Sequence, residues 1–232
     1  IVTDHHEPPE KLPPAYAILN PKQPGCFFPF RELAGVGVAF NLIMALRTAL
    51  RERGFWPQGQ APNLKSYLDL VALGTIADIV PLVDENRILV KSGLEVLSRG
   101  ERPGVRALKA ISSVPEGTLS AEMVTYRLAP RINASGRLST AATAVELLIT
   151  RDANEAERLA RLLHEENLKR QQLEKNITAD ARAMIRAEGH LKQPIVLASA
   201  SWHQGVIGIC ASRMVEEYYR PTVLISIDDR TR

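Results

Sequence analysis

Asp4, His5 and His6 follow directly on the short apolar start Ile1-Val2-Thr3. A carboxylate and two imidazoles at the C-terminal end of a buried strand can converge on a cation, since the crevice of an open α/β sheet lies there and mixed nitrogen and oxygen donors suit a divalent metal. Adjacent histidines are equally at home on a solvated surface, so the triplet needs a second group. The stretch Gly74-Thr75-Ile76-Ala77-Asp78 offers one, a carboxylate among apolar neighbours that do not bury a charge without a partner. That partner is a metal, a helix N-terminus or a salt-bridging cation. Taken with the histidines, Asp78 points to the metal. Neither an HExxH helix nor a paired-cysteine site is present in the sequence.

Two further segments carry anion-binding groups. Arg131, Asn133, Ser135, Gly136 and Arg137 read as one polar, glycine-containing loop, where guanidinium forks and an amide suit phosphate oxygens. A solvated loop with incidental charge fits the same composition. Trp202, His203 and Gly205 lie between an apolar run and the start of a helix, a place where free backbone N–H groups favour an anion. Trp202 suits either stacking on a base or a place in the core. Tyr218, Tyr219 and Arg220 read as helix-end packing.

These groups need a scaffold. The chain opens on a strand tail and a proline-rich loop, with Pro8, Pro9, Pro13, Pro14, Pro21 and Pro24 excluding helix and central strand. A buried helix is expected over Val36–Arg53, stopped at Gly54. Helical spacing returns over Leu64–Leu73. Asp84 is expected to cap a helix that ends at Gly100, Pro103 to open another, and Ser120 to cap one that stops before Pro130. A helix over Thr140–Ile149 follows.

Asp152 with Glu155 forms a capping signal, and helical periodicity then persists to Gly189, a single helix of roughly 50 Å that reads as a connector. Its basic residues, among them Arg158, Arg161, Lys169, Arg170, Lys175, Arg182 and Arg186, alternate with glutamates, which predicts a salt-bridged solvated face. Beyond it, the apolar runs Ile195–Ala198 and Thr222–Ile225 flank a helix over Val206–Tyr219. A strand, helix, strand order predicts parallel pairing.

Composition sets the outer bounds. The 232 residues are 45% hydrophobic and 24% charged, enough for a real core, and the net charge of +3 gives no bulk argument for a polyanionic partner. Cys26 and Cys210 stand in no metal-binding or disulfide-framework spacing, which fits a reduced, cytoplasmic setting. Charged residues interrupt every hydrophobic stretch, so no membrane span is expected, and the N-terminus lacks the pattern of a signal peptide. The absence of an initial methionine and the strand-like ends lead us to expect a piece of a longer protein.

Asp4-His5-His6 followed by Gly74-Thr75-Ile76-Ala77-Asp78 resembles the third and fourth signature motifs of the DHH phosphoesterase family. The segments Pro130–Arg137 and Trp202–Ile209, with Ala211-Ser212-Arg213 and Tyr219-Arg220-Pro221, resemble its RecJ branch and keep its order.

The resemblance implies an α/β fold truncated at both ends. Residues 1–151 would be the C-terminal part of a Rossmann-like DHH catalytic domain, 152–189 a long connecting helix, and 190–232 the start of a second α/β domain of DHHA1 type. It also implies that His5, His6 and Asp78 hold the metal with Asp4 in support, that the metal is Mn²⁺ or Mg²⁺, and that the second domain engages the nucleic acid. The expected activity is 5′ to 3′ hydrolysis of single-stranded DNA in recombination and repair, by a monomer with repair proteins as partners. The family's earlier aspartate motifs would lie before Ile1, so the chain alone is expected to be inactive. Two alternatives remain open: a phosphodiesterase of short oligonucleotides or cyclic dinucleotides, and a non-catalytic nucleic-acid-binding relative.

Overall fold

A computed structural model describes residues 1–188 and 194–227. The described residues pack into two units, one of residues 1–130 with 151–153 and the other of residues 131–150 with those from 154 onward. Residues 131–150, which the sequence groups with the first segment, therefore pack with the second.

In the first unit, β1 (Val2–Thr3) and β2 (Ile18–Leu19) pair in parallel, with Val2 opposite Ile18 and Thr3 opposite Leu19. The ladder continues one step further, because Asp4 N donates to Leu19 O at 3.0 Å. It thus reaches the first residue of the polar triplet. The prolines between the strands keep the connection irregular, as expected.

Helix α1 (Gly35–Glu52) and α2 (Leu68–Ala77), the latter entered through a 3₁₀ turn at Leu64–Tyr67, form where two helices are expected, but α1 is not the buried helix expected: only Gly37, Val38 and Phe40 are buried, and Leu46 in its second half is 52% exposed. Helix α3 (Asp84–Arg99) follows, then α4 (Pro103–Ile111) with its proline in the first turn, where a missing N–H costs nothing. Gly100 ends α3 in the left-handed region at φ 62°, as its residue type predicts. Asp84 is not the cap of α3. Val83 occupies the cap position without a side-chain bond, and Asp84 is the first helical residue at φ 41°. Its charge serves the positive end of the helix instead, together with Glu85.

Helices α2 and α3 form the centre of this unit. A Cβ on Gly93 would collide with Leu68 O and lie 2.6 Å from Ala72 Cβ, so the two backbones meet with no room for a side chain. Val71, Ala72, Leu73, Ile76, Val90 and Leu97 are buried around that contact. Each larger one contributes on the order of 1.5–3 kcal/mol by leaving water. Asp69 is also buried and is held by Arg102 Nε at 2.7 Å.

Ser120 caps the next helix as expected, its Oγ accepting from Met123 N at 3.2 Å. The helix does not stop before Pro130. Helix α5 (Ala121–Met123) passes through a π segment (Val124–Leu128) into α6 (Ala129–Leu138), so the expected polar loop over 131–137 is helical. Proline cannot donate to the carbonyl one α-turn earlier. The wider turn, with Ala129 N–H bonded to Val124 O, is the kind of insertion that accommodates such a defect.

The second unit contains α6 from Arg131 onward, α7 (Ala142–Ile149), α8 (Ala153–Glu188, from Asn154), β3 (Ile195–Ser199), α9 (Gln204–Tyr218) and β4 (Thr222–Ser226). The strands β3 and β4 pair in parallel from Ile195↔Thr222 to Ser199↔Ser226, as the strand, helix, strand order predicts. The expected stop of α8 at Gly189 lies outside the described residues.

Helix α8 packs into the core of this unit. Ile177, Ala181 and Ile185 pack with Ile195, Leu197, Trp202, Val206, Cys210, Met214 and Leu224 in one core. Its charged stripe is only partly solvated. Glu155 pairs with Arg158 and Glu157 with Arg161 on the surface, as expected. Glu174 is buried, and it takes Arg170 at 2.7 Å and Arg213 of α9 together.

Candidate metal centre

The strand β1 ends at Thr3, and the chain turns at once through Asp4, His5 and His6. The turn is organised by one oxygen. Asp4 Oδ1 accepts from His5 N at 2.7 Å and His6 N at 3.2 Å, and lies 2.8 Å from His6 Nδ1. The bond from the His6 side chain, then those from the two backbone N–H groups, hold the Asp4 carboxyl at about 2, below its ordinary 3.8. Asp4 is therefore anionic throughout the neutral range, and it orients the His6 ring through Nδ1, which leaves Nε2 facing away from it.

Asn20 stands directly after β2 and carries no mark of its role in the sequence. Its Nδ2 donates to His6 O at 2.8 Å and its Oδ1 accepts from Lys22 N at 2.9 Å, so the far end of the triplet is tied to the neighbouring strand. Its burial, 6% exposed, shows only in the fold.

His5 points the other way. Its side chain is 15% exposed, and its Nε2 lies 3.2 Å from Asp78 Oδ2. The first residue of α1 flanks the ring: a Cβ on Gly35 would stand 3.4 Å from His5 Cδ2. The His5 and His6 rings are 4.3 Å apart, tilted by 47°.

Asp78 does not lie buried among apolar neighbours as its sequence context suggested. It occupies the C-cap of α2 with its side chain 38% exposed. That is the negative end of the helix, where a carboxylate is disfavoured unless a cation offsets it.

The donors fit a divalent cation. Among the described residues, Asp4, His5 and His6 each offer one ligand atom, all within 4.8 Å of one another, and Asp78 joins them through His5. Imidazole nitrogens with carboxylate oxygens match Mn²⁺, and the oxygens match Mg²⁺.

The residues singled out for nucleic acid all belong to the second unit, and they divide into two kinds. Arg137, near the end of α6, and the turn before α9 come together: a Cβ on Gly205 would collide with Arg137 O, and Arg137 Nη1 lies 3.5 Å from Gly205 O. His203 caps α9 through Nδ1, which accepts from Gly205 N at 3.1 Å. Asn133 and Gly136 are exposed on α6, and Arg131 Nε donates to His164 Nδ1 of α8 at 3.2 Å.

Ser135 and Trp202 turn inward instead. Ser135 is fully buried and its Oγ donates to Ile132 O, which is the helical back-bonding of a serine with nowhere else to turn. Trp202 is 3% exposed within the core of the unit, so its ring offers no face to a base. Among the described residues, no helix is long and apolar enough to cross a membrane.

Residues 1–75 match the DHH family, N-terminal domain. The chain is 45% identical over 229 residues to the single-stranded-DNA-specific exonuclease RecJ of Bacillus subtilis (strain 168), covering 99% of this chain and 28% of that protein. It is similar to the crystal structure of RecJ in complex with Mn²⁺ from Thermus thermophilus, with a TM-score of 0.81 at 38% identity over 97% of this chain and 32% of that one. The Mg²⁺ complex from the same organism gives a TM-score of 0.73 at 37% identity over 86% and 30%. The expected resemblance to the RecJ branch and the expected α/β fold are both met. The chain spans about a third of the length of these relatives.

Proposed function

We propose that this chain, which follows the RecJ branch of the DHH family in sequence and fold along nearly its whole length, carries part of the metal centre of a single-stranded-DNA exonuclease. The observation that carries the reading is the 3.2 Å approach of Asp78 Oδ2 to His5 Nε2, between residues remote in sequence. In this reading His5, His6 and Asp78 hold Mn²⁺ or Mg²⁺, the ions named for the similar RecJ structures. A divalent cation in such a site neutralises phosphodiester charge and lowers the pKa of a bound water.

The chain's own residues prepare that site. Asp4 keeps its negative charge and fixes the His6 ring, so that one imidazole nitrogen is held ready as a donor. Asn20 fastens the end of the triplet to β2, and Gly35 of α1 supports the His5 ring.

In this reading 1–151 is the catalytic part, 152–189 the long helix and 190–232 the start of a substrate-binding domain, although residues 131–150 pack with the second unit. Arg131, Asn133 and Arg137 on α6 and His203 and Gly205 at α9 would contact the strand's phosphates; what supports this is that Arg137 meets the first turn of α9, a helix N-terminus. Hydrolysis from the 5′ end, a role in recombination and repair, and action as a monomer in the cytoplasm complete the reading. The free thiols Cys26 and Cys210 suit that compartment.

The test is digestion of 5′-labelled single-stranded DNA by the complete protein with Mn²⁺. His5→Ala and Asp78→Ala should each abolish nucleotide release while circular dichroism stays that of the parent. Undiminished digestion by both variants refutes the site. Preference for dinucleotides over long strands would move the assignment to the short-substrate phosphodiesterases.

A further inference from the structure

Asn86 lies on the first turn of α3 and is fully buried. Its Nδ2 donates to Glu32 O at 2.6 Å and to Pro81 O at 3.0 Å. Two carbonyl acceptors can be served only by the amino end of the amide, so the orientation of the group is set by its partners. Its Oδ1 is left buried with no hydrogen-bond partner. An apolar side chain would fill the same space without that penalty, which argues that the residue is there for the two bonds it makes.

Both carbonyls lead to the metal centre. Pro81 lies in the segment that leaves Asp78 at the end of α2. Glu32 lies just before α1, whose first residue, Gly35, flanks the His5 ring. The segment from Asp78 to α3 is strained at both ends, with Ile79 at φ 60° and Asp84 at φ 41°. A β-branched residue in the left-handed region persists only where surrounding contacts over-determine it. The amide of Asn86 is such a contact.

We propose that Asn86 is a positioning residue of the metal centre. By tying the segment after Asp78 to the segment before α1, its amide fixes the approach of Asp78 to His5. The inference rests on the reading of His5 and Asp78 as metal-holding residues. Asn86 touches no ligand atom itself, and its effect passes through the backbone on either side of the site.

The experiment measures free Mn²⁺ by room-temperature electron paramagnetic resonance during titration of the complete protein. The parent is compared with Asn86→Ala, with Asn86→Ser, which keeps a donor too short to reach both carbonyls, and with Leu97→Ala as a stability control on the same helix. Groups that support metal ligands typically contribute 10–100-fold in affinity, so both Asn86 variants should bind Mn²⁺ about 10–100-fold more weakly. Leu97→Ala should lower Tm and keep the parent's affinity. If Asn86→Ala does not fold, Asn86→Ser decides. Parent-like affinity in a folded Asn86 variant overturns the inference, as does equal weakening in Leu97→Ala, which would mark a general loss of stability. A parent that binds no Mn²⁺ removes the metal reading beneath it.

Discussion

Asp78 ends α2 with its carboxylate 3.2 Å from Nε2 of His5, although the two residues lie on elements far apart in the chain. The contact places an anion at the negative end of a helix, which is costly for α2 and useful to a cation. Asp78→Asn should therefore separate stability from binding. In metal-free protein at low ionic strength it should raise stability by about 0.3–1 kcal/mol, read from the thermal midpoint. Mn²⁺ affinity should fall in the same variant. A lowered midpoint would show that the pair with His5 outweighs the helix dipole.

Asp69, 3% exposed, pairs at 2.7 Å with the half-buried Arg102 in the first unit. Removing one partner leaves the other charge stranded. Arg102→Ala, which leaves the buried Asp69 carboxylate without its cation, should cost about 3–5 kcal/mol in urea denaturation. A loss below about 1 kcal/mol would place the pair among surface bridges.

Gly93 allows α2 and α3 to meet backbone to backbone. Gly93→Ala sets a methyl group against Leu68 O, which belongs to the main chain and cannot swing aside, so a loss of about 1–3 kcal/mol is expected. Parent-like stability would mean that the helices separate freely.

The Asp4 carboxyl is held at about 2 from 3.8, chiefly by the side-chain bond with His6. A depressed carboxylate contributes stability that is complete above its unfolded value and is lost as pH falls through the folded one. The Asp4–His6 turn should thus keep its geometry through mildly acidic pH and lose it as pH falls from about 4 towards about 2. A ¹³C titration of the Asp4 carboxyl reads this directly, and a midpoint near 4 would show that the bonds in the turn do not hold in solution.

Cys210 is fully buried, and burial raises its thiol pKa, while Cys26 is half-buried. Iodoacetamide at pH 8 should modify Cys26 in the native protein and reach Cys210 only in denaturant. Mass spectrometry after brief exposure would show the order, and early loss of the Cys210 thiol would mean that its unit opens readily.

Periodicity made most helices legible because their apolar faces must be buried, and the glycines after α1 and α3 mark their ends for the same steric reason. It failed where a local rule met a longer-range one. Pro130 predicts a stop, but the π segment absorbs its missing donor and the helix runs on through Arg137. The charges of α8 predict a solvated face, yet Glu174 is buried because arginines from two helices meet it.

The same limit applies at the candidate metal centre. Asp4, His5, His6 and Asp78 were legible as residue types. Asn20 and Asn86 were not, since a buried amide is defined by carbonyls that only folding brings near. Trp202 could be placed in the core only once the strands around it were in hand.

Gly205 lies so close to Arg137 O that main-chain atoms set the least distance between α6 and the start of α9. Side chains nearby can drift in size or charge over many generations without altering that limit. Arg137 and His203 would then keep their mutual spacing while the residues around them vary.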